Sequence, residues 1–140
     1  MTKTEKALSL FSEGYSCAQA VIMAFSAPLG LDEAMAAKVS CAFGGGISHR
    51  GLTCGAVTGA LMVIGLRHGG GPETKAPTYV VANDFISRFS VIHGSINCTE
   101  LTGYDLSDPD QLAEARARGV FTARCRRYVE TAGKLLEEPG

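Results

Sequence analysis

Five cysteines, at positions 17, 41, 54, 98 and 125, are the residues of this 140-residue chain best suited to chemistry. No two of them form a Cys-x-x-Cys pair, and Cys17, Cys54, Cys98 and Cys125 lie 37, 44 and 27 residues apart in turn. That spacing removes thioredoxin-like motifs, zinc ribbons and the local clusters of bacterial ferredoxins. Any site these thiols share must be assembled by tertiary structure. Their contexts are alike. Ser16, Thr53 and Asn97 stand directly before Cys17, Cys54 and Cys98, and all three are preferred N-cap types. Asn97 with Glu100 has the form of a capping box, and Cys125 leads into an apolar helical face of Tyr128, Val129, Ala132, Leu135 and Leu136. The pattern predicts four thiols at or near helix N-termini. Partial positive charge there favours the thiolate, the form that binds metals and attacks disulfides. Cys41 sits among Ala36, Ala37, Val39 and Ala42 and reads as a packing residue.

The other polar candidates carry weaker signals. His49, His68 and His93 lie in or beside loops and read as solvated or capping residues, with Arg67 and His68 suited to a helix C-terminus. Tyr15 is placed either to line a pocket near Cys17 or to pack. Arg116, Arg118, Arg124, Arg126 and Arg127 form a basic stretch, which reads as a solvated face or as a dock for an acidic redox partner. No nucleophile–base arrangement and no carboxylate pair stands out. The runs Gly44–Gly46 and Gly69–Gly71 fit helix C-termini in left-handed conformation and lack the Gly-Lys-Ser/Thr context of a phosphate loop.

These residues need helices to position them. Apolar periodicity predicts helices over 3–13, 17–25, 33–43, 54–67, 77–92, 98–101 and from 109 to 138 with a break near Gly119. Thr2 with Glu5 has the form of a capping box, and Val80, Val81, Phe85, Phe89 and Ile92 share one spacing in the fifth helix. No stretch alternates as a half-buried strand does. The expectation is an all-α, single-domain bundle of about six or seven helices spanning 1–140.

Composition sets the outer bounds. The chain is 46% hydrophobic with a formal net charge of −1, which argues against a general nucleic-acid or anionic-membrane binder. The most apolar run, 54–66, is too short and too glycine-rich to span a membrane, and the N-terminus lacks an apolar signal core. The expected location is cytoplasmic, where reduced thiols serve metal or redox chemistry more often than staples. A domain of this size folds without a disulfide or metal. A homodimer is compatible with helices that read apolar around much of their circumference.

The stretch Phe11-Ser12-Glu13-Gly14-Tyr15-Ser16-Cys17-Ala18-Gln19-Ala20-Val21, the segment from Gly44-Gly45-Gly46 through Thr53-Cys54-Gly55-Ala56-Val57-Thr58-Gly59-Ala60, Asn97-Cys98 with Glu100-Leu101, and Cys125 together resemble the C_GCAxxG_C_C family of proteins described as redox-active. The resemblance covers almost the whole chain and leaves Cys41 outside the pattern. Ser48-His49-Arg50-Gly51-Leu52 departs from the family's more usual Gly-Arg-x-Gly-Glu form. The resemblance implies redox activity of Cys17, Cys54, Cys98 and Cys125, exchanging electrons with a partner protein. Three chemistries are open to four such thiols: ligation of a two-iron or four-iron iron–sulfur cluster, reversible disulfides without a cofactor, or structural zinc. The cluster is favoured modestly over the dithiol, and zinc is the least expected because the domain does not need it to fold. Gly55 and Gly59, with Ala56 and Ala60, give a helix face without bulk. Gly59 and Ala60 suit close helix packing, and Gly55 leaves room beside Cys54 for a cofactor.

Overall fold

Apolar spacing and capping residues divide the chain into eight helices in a computed structural model that describes residues 1–138. They are α1 Lys3–Ser12, α2 Cys17–Ser26, α3 Glu33–Ser40, α4 Gly55–His68, α5 Lys75–His93, α6 Cys98–Thr102, α7 Pro109–Ala117 and α8 Arg126–Glu137. Strands are absent among the described residues, so the fold is all-α. Thr2 and Glu5 form the expected capping box at α1. Ser16 and Gln19 form a second at α2, a Ser-x-x-Gln version of the same signal. Asp32 caps α3 through the Met35 N–H, and Asp108 followed by Pro109 opens α7.

Helix α2 forms the centre of the bundle. Every residue from Ala20 to Ser26 is buried, and its neighbours α1, α3, α4 and α8 surround it. The α2–α4 crossing is close because Gly59 has no side chain: a Cβ there would stand 2.7 Å from the Ala18 carbonyl oxygen. The role expected of Gly59, close packing, is the observed one. At the opposite side of the bundle, Gly133 of α8 lies against Thr4 of α1, and the Thr4 N–H donates to Glu137 Oε1 at 2.8 Å. Phe25, Phe89, Ile22 and Val57 fill the interior, each worth roughly 1.5–3 kcal/mol on burial.

Several expectations require correction. Helix α3 ends at Ser40, and Cys41–Phe43 continue as a tighter 3₁₀ turn that leaves Cys41 exposed rather than packed in the core. Helix α5 starts two residues earlier than Pro77 and lies at the periphery. It buries only Phe85 and Phe89, so Val80 and Ile92 point to solvent. Gly69–Gly71 are not left-handed; Gly69 closes α4 in extended backbone.

The loop after Phe43 departs most from ordinary backbone. Gly45, Gly46, Ile47, Ser48 and His49 are consecutively left-handed, with φ between 50° and 67°. Each non-glycine residue in that conformation costs about 1–2 kcal/mol, and a β-branched residue such as Ile47 is rarely found there. Hydrogen bonds from the Gly51 and Leu52 amides back to the Gly45 and Gly46 carbonyls close the turn.

Candidate functional site

Two chain segments that are 44 residues apart in sequence bring Cys54 and Cys98 together. Thr53 and Asn97 form an isolated antiparallel bridge, the Cys54 amide donates to the Ile96 carbonyl at 2.7 Å, and the Cys98 amide donates to the Leu52 carbonyl at 2.6 Å. Each cysteine then begins a helix on leaving the bridge. Cys17 arrives from the other side at the start of α2, against Gly55: a Cβ on Gly55 would lie 2.9 Å from the Ala18 nitrogen and 3.1 Å from Cys17 Cβ. Gly55 therefore lets the α2 and α4 N-termini, and their thiols, approach each other. Cys125 completes the group from the wide π-turn Phe121–Cys125 that runs into α8. Such turns recur at functional sites.

All four thiols line one cavity of about 200 Å3. Cys54, Cys98 and Cys125 are buried and Cys17 is half-buried; none is bonded in a disulfide. The wall also includes Gly44, Gly45 and Gly46, with Phe11, Phe121 and Tyr128. Arg124 donates to the Thr102 carbonyl at 3.0 Å, and Tyr128 Oη donates to the Leu101 carbonyl at 2.7 Å. These two contacts fasten α6, and with it Cys98, to the segment that carries Cys125.

The thiols are not equivalent. The Cys17 thiol neighbours the Cys125 sulfur in the cavity. That contact, with the nearby Arg124 charge, holds Cys125 below the ordinary thiol range in spite of burial. The same contact, together with burial and the charge of the neighbouring sulfurs, pushes Cys17 well above it. Burial pushes Cys54 up to about 12, partly offset by the Ala56 and Val57 amides beside its sulfur. Burial and the Cys54 and Cys125 charges push Cys98 to about 12 as well. One cavity thus holds one thiol made more acidic by its surroundings and three made less acidic.

The N-cap reading is right for Cys17, where Ser16 caps α2, and for Cys98, where Asn97 is the N-cap of α6, and needs revision in detail. Cys54 is itself the N-cap of α4, one position later than Thr53 would make it, and no side-chain hydrogen bond caps that helix. Asn97 precedes α6, yet its amide bonds to the Glu100 side chain instead of closing a capping box. Cys125 has helical backbone on both sides, so it does not stand at a free helix end. Tyr15 packs against the core; Arg116 is solvent-exposed as its basic stretch predicted, yet stands at the cavity's edge, and the half-buried His49 lines it. Tyr128 was legible only as a core residue, although its position three residues after Cys125 places it one turn further along the same face.

Among the described residues, no group of three or more His, Cys, Asp or Glu side chains is arranged to hold a metal ion. The four sulfurs have the right chemistry for iron–sulfur ligation, but their side chains as placed do not converge on one point. The glycine wall is tight. A Cβ on Gly46 would meet Cys98 Cβ at 2.5 Å and the Leu52 nitrogen at 2.7 Å, with φ at +67°. The Gly46→Ala protein is expected to lose about 2–4 kcal/mol, combining overpacking with left-handed strain. The urea midpoint measures this, and an unchanged midpoint would show that the wall yields.

Comparison with curated proteins finds no match, and comparison with solved structures finds none either. No helix among the described residues is long and apolar enough to cross a membrane. One family model, described as "Putative redox-active protein (C_GCAxxG_C_C)", matches residues 15–139. Nearly the whole chain, including the four cysteines that meet at the cavity, falls within that match, and the protein belongs to the C_GCAxxG_C_C family.

Proposed function

We propose that this is a thiol–disulfide redox protein whose reversible pair is Cys17 and Cys125. The observation that carries the reading is that both thiols open on one cavity, where each is the strongest influence on the other's acidity. A thiolate attacks a disulfide sulfur, and a neighbouring thiol then resolves the mixed disulfide. Cys125 supplies the thiolate and Cys17 the resolving thiol. Closing the pair releases two electrons and the proton of Cys17. Cys54 and Cys98 stay protonated beside it and complete an apolar, thiol-lined pocket. A cytoplasmic setting suits this cycle, because ambient thiols there return the pair to its reduced form.

A second reading, an iron–sulfur centre of two or four irons passing electrons to a partner protein, is favoured by the opening of all four sulfurs on one cavity. One preparation separates the two. Purified without oxygen, the protein is expected to be colourless and metal-free with five titratable thiols. Mild oxidation should leave three, with peptide mapping giving a Cys17–Cys125 link that dithiothreitol reverses. A brown protein with stoichiometric iron and bands that bleach on reduction would replace the dithiol by the cluster. Stoichiometric zinc and no reversible oxidation would remove both redox readings.

A further inference from the structure

The cavity has a charge asymmetry that thiol chemistry alone does not require. The chain carries 14 acidic and 13 basic residues, yet no Asp or Glu lines this cavity, while Arg116 and His49 do. Arg116 comes from the last turn of α7 and has no ion-pair or hydrogen-bond partner in its side chain among the described residues. Its neighbour in sequence, Arg118, is paired with Glu114 at 3.1 Å. His49 reaches the wall because the left-handed turn carries it there. Its ring packs over Gly45, where a Cβ would collide with it. The backbone of this turn holds three non-glycine residues in a conformation that costs about 1–2 kcal/mol each, and the position of the His49 ring depends on it. The remaining lining is apolar or small, and about 200 Å3 is below the roughly 300–1,000 Å3 of pockets for drug-sized ligands. The space fits one short arm of a molecule, with an anionic group at the cationic edge.

We propose that the cavity binds small aliphatic disulfides that carry a carboxylate, with Arg116 and His49 receiving the carboxylate and Cys125 meeting the disulfide. This rests on the dithiol reading above. Cys125 S⁻ attacks one sulfur of RS–SR, which forms the Cys125–SR mixed disulfide and releases RS⁻. Cys17, giving up its proton, attacks the Cys125 sulfur. The Cys17–Cys125 disulfide forms and the second RS⁻ leaves. The substrate gains two electrons and the protein pair loses two. Arg116 pairs with the carboxylate through its planar fork and His49 through a ring N–H.

The test measures second-order rates of oxidation of the reduced protein by three disulfides of similar size: anionic 3,3′-dithiodipropionate, neutral bis(2-hydroxyethyl) disulfide and cationic cystamine. The expected order is anionic, neutral, cationic, with at least a tenfold ratio between the extremes at low salt. Arg116→Gln should bring that ratio toward one, and Arg118→Gln, outside the cavity, should leave it as it was. His49→Gln should lower the anionic rate about three- to tenfold. Equal rates for all three disulfides, or a preference that survives Arg116→Gln, would overturn the inference and leave the dithiol reading standing. Failure of every disulfide to oxidise the Cys17–Cys125 pair would overturn both.

Discussion

The Cys125→Ser protein is expected to lose reversible two-electron oxidation entirely, and Cys17→Ala to lose it with a distinct signature. Cys125 is the more acidic member because it neighbours the Cys17 thiol and Arg124. Removing the Cys17 thiol leaves burial opposed only by the weaker Arg124 charge, so the Cys125 pKa must rise. The pH midpoint for alkylation of Cys125 by iodoacetamide, read by mass spectrometry of the peptide, should lie below the ordinary thiol value in the native protein. It should move above that value in Cys17→Ala. Cys41→Ala should change neither measurement, since Cys41 is exposed and does not line the cavity. A Cys17→Ala protein whose midpoint stays low would show that another group sets the Cys125 charge.

The second large effect concerns stability in alkali. Cys54 and Cys98 are each raised to about 12 in the folded protein. A group raised on folding stabilises below its unfolded pKa and loses that contribution as pH climbs toward its folded value. The unfolded chain releases these protons near pH 8.5–9 while the folded protein retains them. Between about pH 9 and 12, each thiol therefore removes ~1.4 kcal/mol of stability per pH unit, and the two together remove about 3. Urea midpoints across this range should fall steeply in the native protein. Cys54→Ser and Cys98→Ser, whatever their stability at pH 7, should each flatten the slope by ~1.4 kcal/mol per pH unit, the raised Cys17 thiol supplying the rest of the excess. A slope equal to that of the double variant would mean that the buried thiols ionise freely.

Much of this was legible in the sequence because local rules set it. Helix α1 with its Thr2–Glu5 box, the Asp108–Pro109 start of α7 and the break at Gly119 all follow from short-range signals. So does the division of the cysteines, with Cys17, Cys54, Cys98 and Cys125 on one cavity and Cys41 apart. The reason given for Cys41 was wrong, since local apolar neighbours do not fix burial at the end of a peripheral helix. The exposed Val80 and Ile92 of α5 fail for the same reason: periodicity shows a face without showing whether a neighbour covers it. The Thr53–Asn97 bridge and the neighbouring of the Cys17 and Cys125 thiols join residues far apart in the chain, and no local pattern encodes them. His49 was illegible because three non-glycine residues in left-handed backbone contradict their own preferences, and only tertiary contacts hold them there.

The antiparallel bridge between the segments carrying Cys54 and Cys98 also bears on how the molecule comes to fold. In the unfolded chain, the closest two of the four cavity thiols are 27 residues apart, and the reactive pair spans nearly the full length. Closing such loops costs entropy that local helix formation does not recover, so contacts of this range form late in folding. Until then each thiol behaves as an isolated cysteine. The appearance of one fast-alkylating and three slow-alkylating cysteines along a refolding reaction therefore times the completion of the tertiary structure, without any probe added to the chain.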